Sequence, residues 1–223
     1  MNPFIRFLER RRPSRQRVWW LAITVLGFGW SWEYTTAAAE RPRILFFTQT
    51  SGYEHSVIRR TAGNLSFAEQ VWEKIGAEHG VDFVFSKDGS LFNPTYLAGF
   101  DAFVFYTNGD LTSQTRDGSP SMTPAGKAAL LDAIAAGKGF VGLHSAAATF
   151  RGSASGPVDP FLRMLGGEFV KHGRQQSAKL TVPNPRFPGF ETLPAGYGPI
   201  DEWYTFRHFS PDLHVLLSLD PVG

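Results

Sequence analysis

The chain has 223 residues, 43% of them hydrophobic and 14% aromatic, enough to bury one substantial core and incompatible with a disordered protein. It carries a net charge of +2 and no cysteine, which excludes disulfides, thiolate metal sites and thiol nucleophiles together. The positive balance comes from the first 39 residues, which hold six arginines and two glutamates, so the remainder has a net charge of −2. With no lysine or arginine stripe in that remainder, nucleic acid is not an expected partner.

Residues 1–39 have the order of a secretory signal peptide. Arg6 to Arg17 supply the basic start, Val18 to Trp32 an apolar stretch, and Ala37-Ala38-Ala39 a small-residue cleavage site. The apolar stretch is shorter than the roughly 20 residues a membrane span needs. Cleavage after Ala39 is therefore expected, leaving residues 40–223 as an exported, periplasmic or extracellular domain with no permanent membrane span.

Arg43 to Thr48 is apolar on both faces, as in a central parallel strand. A polar loop follows from Gln49 to Arg60. Ser66 and Glu69 have capping-box spacing ahead of Ala68, Val71, Trp72 and Ile75, which share one helical face, and Gly80 ends that helix. Val81–Phe85 and Ala102–Tyr106 read as short apolar strands. Thr123 caps a second helix that has Pro124 at its first position and Gly137 at its end. This alternation predicts an α/β fold: a flavodoxin-like three-layer sandwich with a mostly parallel central sheet.

The run Gly139 to Ala146 reads as a buried strand ending in a tight turn. Gly142 and Ala146 stand two before and two after His144, the small-residue pattern that a sharp strand-to-helix elbow requires around a displayed reactive side chain. From Arg151 to Pro199, glycine, proline and aromatic residues suggest loops and edge strands, with Ala178–Val182 the one clean strand. Leu213–Leu219 alternates enough for a further strand close to the last residue, which suggests a fragment whose open sheet edge would favour homo-oligomers.

Four landmarks in this order resemble the ThuA-like (trehalose utilisation) family of the class I glutamine amidotransferase-like superfamily. They are Ser51-Gly52-Tyr53-Glu54-His55, Gly142-Leu143-His144-Ser145-Ala146, Gly166-Gly167-Glu168-Phe169 with His172, and Asp201-Glu202-Trp203-Tyr204. The resemblance implies a role in sugar or glycoside metabolism. Family members usually continue into a Gly-x-Gly-Arg strand and a closing helix, and neither is present here. Glutamine amidotransfer is not expected, since the elbow lacks the cysteine that attacks the amide.

Candidate catalytic residues are His144, His55, His172 and Glu202. His144 is a general base, a metal ligand or a packed strand-end residue. Substrate-binding candidates are Tyr53, Ser145, Glu168, Asp201, Trp203 and Tyr204. Tyr53 either stacks on a sugar ring or braces its loop, and Ser145 is a rival nucleophile one residue past the apex. Glu168 and His172 are placed in a loop after two glycines, and Asp201 to Tyr204 on a strand. If the imidazoles and the carboxylate converge, they support either proton transfer at a sugar carbon or a divalent site such as zinc. No cofactor is required by the first chemistry. A non-catalytic carbohydrate-binding module is the alternative from another class.

Overall fold

A computed structural model describes residues 40–153, 155–193 and 197–219. The expected signal peptide lies outside the described residues, and no helix among those described is long and apolar enough to cross a membrane.

Side chains alternate across a strand, so a run that is apolar at every position needs cover on both faces. Strand β1 (Arg43–Phe47) meets this need at the centre of a four-stranded parallel sheet ordered β2-β1-β3-β4, with β2 Asp82–Ser86, β3 Ala102–Phe105 and β4 Gly139–Gly142. Helix α1 (Phe67–His79) covers one face, where Trp72 packs on Phe46 and Phe83. Leu45, Phe47, Phe103 and Phe105 form the opposite face and pack into the main core with Leu97 of α2 (Pro94–Ala98) and Leu130 of α3 (Pro124–Ala135). The expected three layers are present.

The caps written in the sequence form. Ser66 accepts from the Glu69 amide, Glu69 accepts in return from Ser66, and Gly80 closes α1 in the left-handed conformation at φ 69°. Thr123 accepts from the Gly126 amide with Pro124 in the first turn of α3.

Several expectations need correction. Helix α2 lies between the two expected strands Val81–Phe85 and Ala102–Tyr106, where no helix is predicted. It is five residues long, too short for helical periodicity to register, although Asn93 caps it and Pro94 starts it. Helix α4 (Pro160–Leu165) falls in the segment expected to hold only loops and edge strands, with Asp159 capping it. Strand β4 is a sheet edge instead of a buried strand, and Val141 is 47% exposed.

The run Ala178–Val182 shrinks to β7 (Leu180–Thr181), which pairs antiparallel with β10 (Ser218–Leu219), the remnant of the strand expected over Leu213–Leu219. Short pieces β6 (Gln176–Ser177) and β8 (Ile200–Asp201) pair likewise. Glu168 and His172 lie on strand β5 (Glu168–His172), which pairs antiparallel with β9 (Tyr204–Arg207), and not in a loop.

Candidate active site at the carboxyl edge of the sheet

Past their last residues, the parallel strands stay side by side: Thr50 bridges Asn108, and Gly109 bridges Thr149. The loop after β1, the continuation of β3 and the turn after β4 therefore reach the same edge, where ligands collect in sheets of this kind. Gly109 (φ 80°) makes the approach close, for a β-carbon there would lie 2.5 Å from the Gly52 nitrogen.

At the end of β4, Leu143 is extended and still donates to the Phe105 carbonyl at 2.8 Å. The chain then turns sharply, placing His144 at φ 46° before a short 3₁₀ helix over His144–Ala148. Positive φ is costly for a residue with a β-carbon, so the turn holds His144 in a strained, displayed position. A β-carbon on Gly142 would lie 3.2 Å from both Ala146 Cβ and Leu165 Cδ2, which is the crowding the small-residue pattern anticipates. The helical continuation is 3₁₀ where an α-helix was the analogy.

His144 Nε2 lies 3.1 Å from His55 Nε2 and 3.1 Å from the Tyr204 hydroxyl. The Glu202 carboxylate is 4.0 Å from the same nitrogen and 3.6 Å from His172 Nε2. Tyr106, at the end of β3, completes the wall, its ring centroid 5.5 Å from that of His55 and 5.7 Å from that of His144. Tyr53 stands edge-on to His55 at 4.9 Å and is 67% exposed, so it forms the rim.

The loop that carries His55 is fastened from below. Ile58 is fully buried, and Glu54 pairs with Arg59 at 2.9 Å and with buried Lys87 at 3.6 Å.

His172 reaches this group through a β-bulge. The β5–β9 register shifts between Phe169 and Lys171, so one extra residue sits on β5. Without it, Phe169 and His172, three apart, would point to opposite faces. With it, both rings contact Tyr204, at 4.3 and 5.6 Å, and His172 lies nearly parallel to the phenol.

Burial is the larger influence on His144 and His55 and lowers both pKa values below the ordinary histidine value; for His144, Glu202 and Asp201 oppose it only in part. Burial also keeps the phenols protonated: Tyr106 is raised to about 12 and Tyr204 is raised as well, with Glu202 adding to both shifts. One proton assignment accounts for the two short contacts to His144. Tyr204 donates its O–H, and His55 its Nε2–H, to a His144 Nε2 that carries the lone pair. In this tautomer His55 Nδ1 is an acceptor, and it is buried without a partner. A substrate that displaces these donors meets the Nε2 lone pair of a neutral imidazole, which can take up a proton.

Four of the expected substrate-binding residues have protein partners of their own. Ser145 is buried and donates to the Thr107 carbonyl at 2.9 Å, so its hydroxyl is neither exposed nor free to attack. Glu168, also buried, holds Arg207 at 2.6 Å on the far side of β5. The Trp203 indole donates to the Gln176 carbonyl at 2.7 Å, tying the segment after β8 to β6. Asp201 is exposed and accepts from the Glu202 amide, which orients that turn. Among the described residues, no three His, Asp or Glu side chains are grouped so as to hold a metal ion.

Tyr106 was absent from the expected site. Its signal was present: it is the polar aromatic that ends the apolar run Ala102–Tyr106, at the carboxyl end of a predicted parallel strand.

A parallel sheet between helical layers, with an elbow histidine at its carboxyl edge, defines an α/β protein of the flavodoxin-like class with a ligand crevice at that edge. The family model for ThuA, described as trehalose utilisation, matches residues 43–222, and the chain belongs to that family. Membership relates it to carbohydrate metabolism. A crystal structure of a ThuA-like protein from Bacteroides uniformis superposes with a TM-score of 0.61 and 24% sequence identity, covering 84% of this chain and 72% of that one, which supports the shared fold. Among curated proteins, no significant match to the sequence is found.

Proposed function

We propose that this is an exported enzyme that acts on a sugar, glycoside or keto-sugar, with His144 exchanging the proton. The observation that carries this reading is the convergence on His144 Nε2 of His55 and Tyr204, each at 3.1 Å, beside Glu202. A neutral imidazole takes up a proton from a sugar carbon or hydroxyl and returns it to the product. Glu202 steadies the imidazolium formed in between, and the Tyr106 hydroxyl remains a donor for substrate oxygen. His172, paired with Glu202, positions that carboxylate. Side chains of the protein account for every proton, so the reading needs no cofactor. The ligand class rests on family membership and on the aromatic rim, since aromatic faces cover the C–H side of a pyranose.

The test is turnover of a panel of glycosides and keto-sugars by the wild-type protein and by His144→Ala. We expect a loss of about 10²–10⁴-fold with the fold intact, the range that general acid–base groups contribute. Undiminished turnover in His144→Ala rejects the mechanism. Saturable binding by the wild type with no product over hours would instead identify a carbohydrate-binding module.

A further inference from the structure

Beside the polar cluster lies a second recess of about 280 Å³, and the two share the imidazole of His144. Its walls are Ala147, Leu165, Phe206, Phe209 and Leu213 with Ala146 and three glycines, and His144 is its one polar side chain among the described residues. Phe209 is 63% exposed and Leu213 40% exposed, so apolar surface faces the opening.

Two glycines already prominent in the sequence build this recess. A β-carbon on Gly166 (φ 84°) would lie 2.4 Å from Leu213 Cδ2, and one on Gly167 would lie 3.4 Å from both Phe206 Cδ1 and Phe209 Cδ1. Glycine at 166 lets the leucine close down on the backbone, while at 167 a β-carbon would meet the two rings at ordinary contact distance. The Gly166-Gly167 pair is thus tied to a wall of the recess and not to a polar contact.

Resting on the sugar-directed reading above, we propose that this recess is an aglycone subsite, taking the apolar aryl or alkyl group of a glycoside. A pyranose carries hydroxyls that must keep hydrogen-bond partners when they leave water, and the recess offers a single polar side chain. Those partners lie on the other side of His144, where Glu202, His172 and Tyr204 are gathered. A glycoside with its sugar on the polar side and its apolar group in the recess places the glycosidic linkage against His144. The volume suits one aromatic ring with a few further atoms: a dry cavity of about 150 Å³ is enough to hold benzene.

The experiment is equilibrium binding of methyl and phenyl glucosides, each in both anomeric forms, to the wild-type protein and to Phe209→Ala and Ala147→Phe. The first variant opens the recess at an exposed residue, and the second adds bulk at another lining position. Thermal unfolding of each is compared first. We expect the phenyl compound to bind the wild type at least about tenfold more tightly than the methyl one, the discrimination that small apolar groups obtain in apolar pockets. Both variants should bring that ratio toward one. Equal affinities in the wild type, or a ratio unchanged in both variants, overturn the subsite and leave the sugar-directed reading standing. Binding of neither glucoside overturns the subsite, and the sugar-directed reading is then decided by the panel of glycosides and keto-sugars. A change of oligomeric state in Phe209→Ala without any phenyl preference assigns the recess to a second copy of the chain.

Discussion

His144 combines a strained backbone with a depressed basicity, and the two have separable consequences. An alanine at φ 46° retains the β-carbon clash and a glycine does not. His144→Gly is therefore expected to be as inactive as His144→Ala but more stable, by about 1 kcal/mol in denaturant unfolding. The depressed pKa of His144 keeps it unprotonated on mild acidification. The acid limb of kcat/KM should accordingly have its midpoint below the ordinary histidine value of 6.5, and an acid limb above that value contradicts the assignment of His144 as base. The same shift bears on stability. Above pH 6.5 neither the folded nor the unfolded form of this group is protonated; below it the unfolded chain binds the proton first, so stability contributed by burial is lost as pH falls. At the alkaline end, Tyr106 is held protonated to about 12, so its ionisation should produce no decline near pH 10.

At the scale of elements, α1 shows how a tertiary contact outweighs a local preference. Gly76 lies inside this helix, where alanine would be favoured by about 1 kcal/mol on propensity. A β-carbon there would sit 2.6 Å from the Val81 carbonyl oxygen and 2.8 Å from Phe83 Cδ2, with backbone on one side and a packed ring on the other. Overpacking of this sort costs about 1–3 kcal/mol, so Gly76→Ala is expected to lower stability, read as a reduced midpoint in urea. The N-terminus of the same helix makes the opposite point. Glu69 is fully buried because it serves both the capping box and Arg60, at 2.8 Å, and its carboxyl pKa is lowered as a result, the bonds from Arg60 and Ser66 outweighing burial. Losing that side chain leaves Arg60 and the Ser66 amide unmet, so Glu69→Ala should destabilise by more than the roughly 1 kcal/mol of a lost cap alone.

For the whole molecule, the charge asymmetry is a statement about processing. If the first 39 residues are removed on export, the protein recovered from outside the cytoplasm begins at Glu40, and its intact mass identifies that start. A mass that retains Arg6 to Arg17 rejects cleavage after Ala39.

The sequence by itself determined the parallel core, because doubly apolar runs demand cover on both faces, and it determined the helix ends, because caps are local chemistry between residues three or four apart. It also marked the elbow, since the crowding around His144 acts within four residues. Only the tertiary structure decided which polar residues meet. Glu168 and His172 are four apart on one strand, yet the bulge between Phe169 and Lys171 sends one toward Arg207 in the interior and the other toward Tyr204 and Glu202. A bulge depends on the register with β9, more than thirty residues away, which no local pattern carries. Ser145 beside the elbow and Trp203 beside Glu202 looked equally suited to a ligand, and partners distant in sequence, the carbonyls of Thr107 and Gln176, claimed them. The short helices α2 and α4 stayed hidden because five or six residues are too few for periodicity to show, and their stability comes from burying Leu97 and Phe161 in a core assembled from the whole chain.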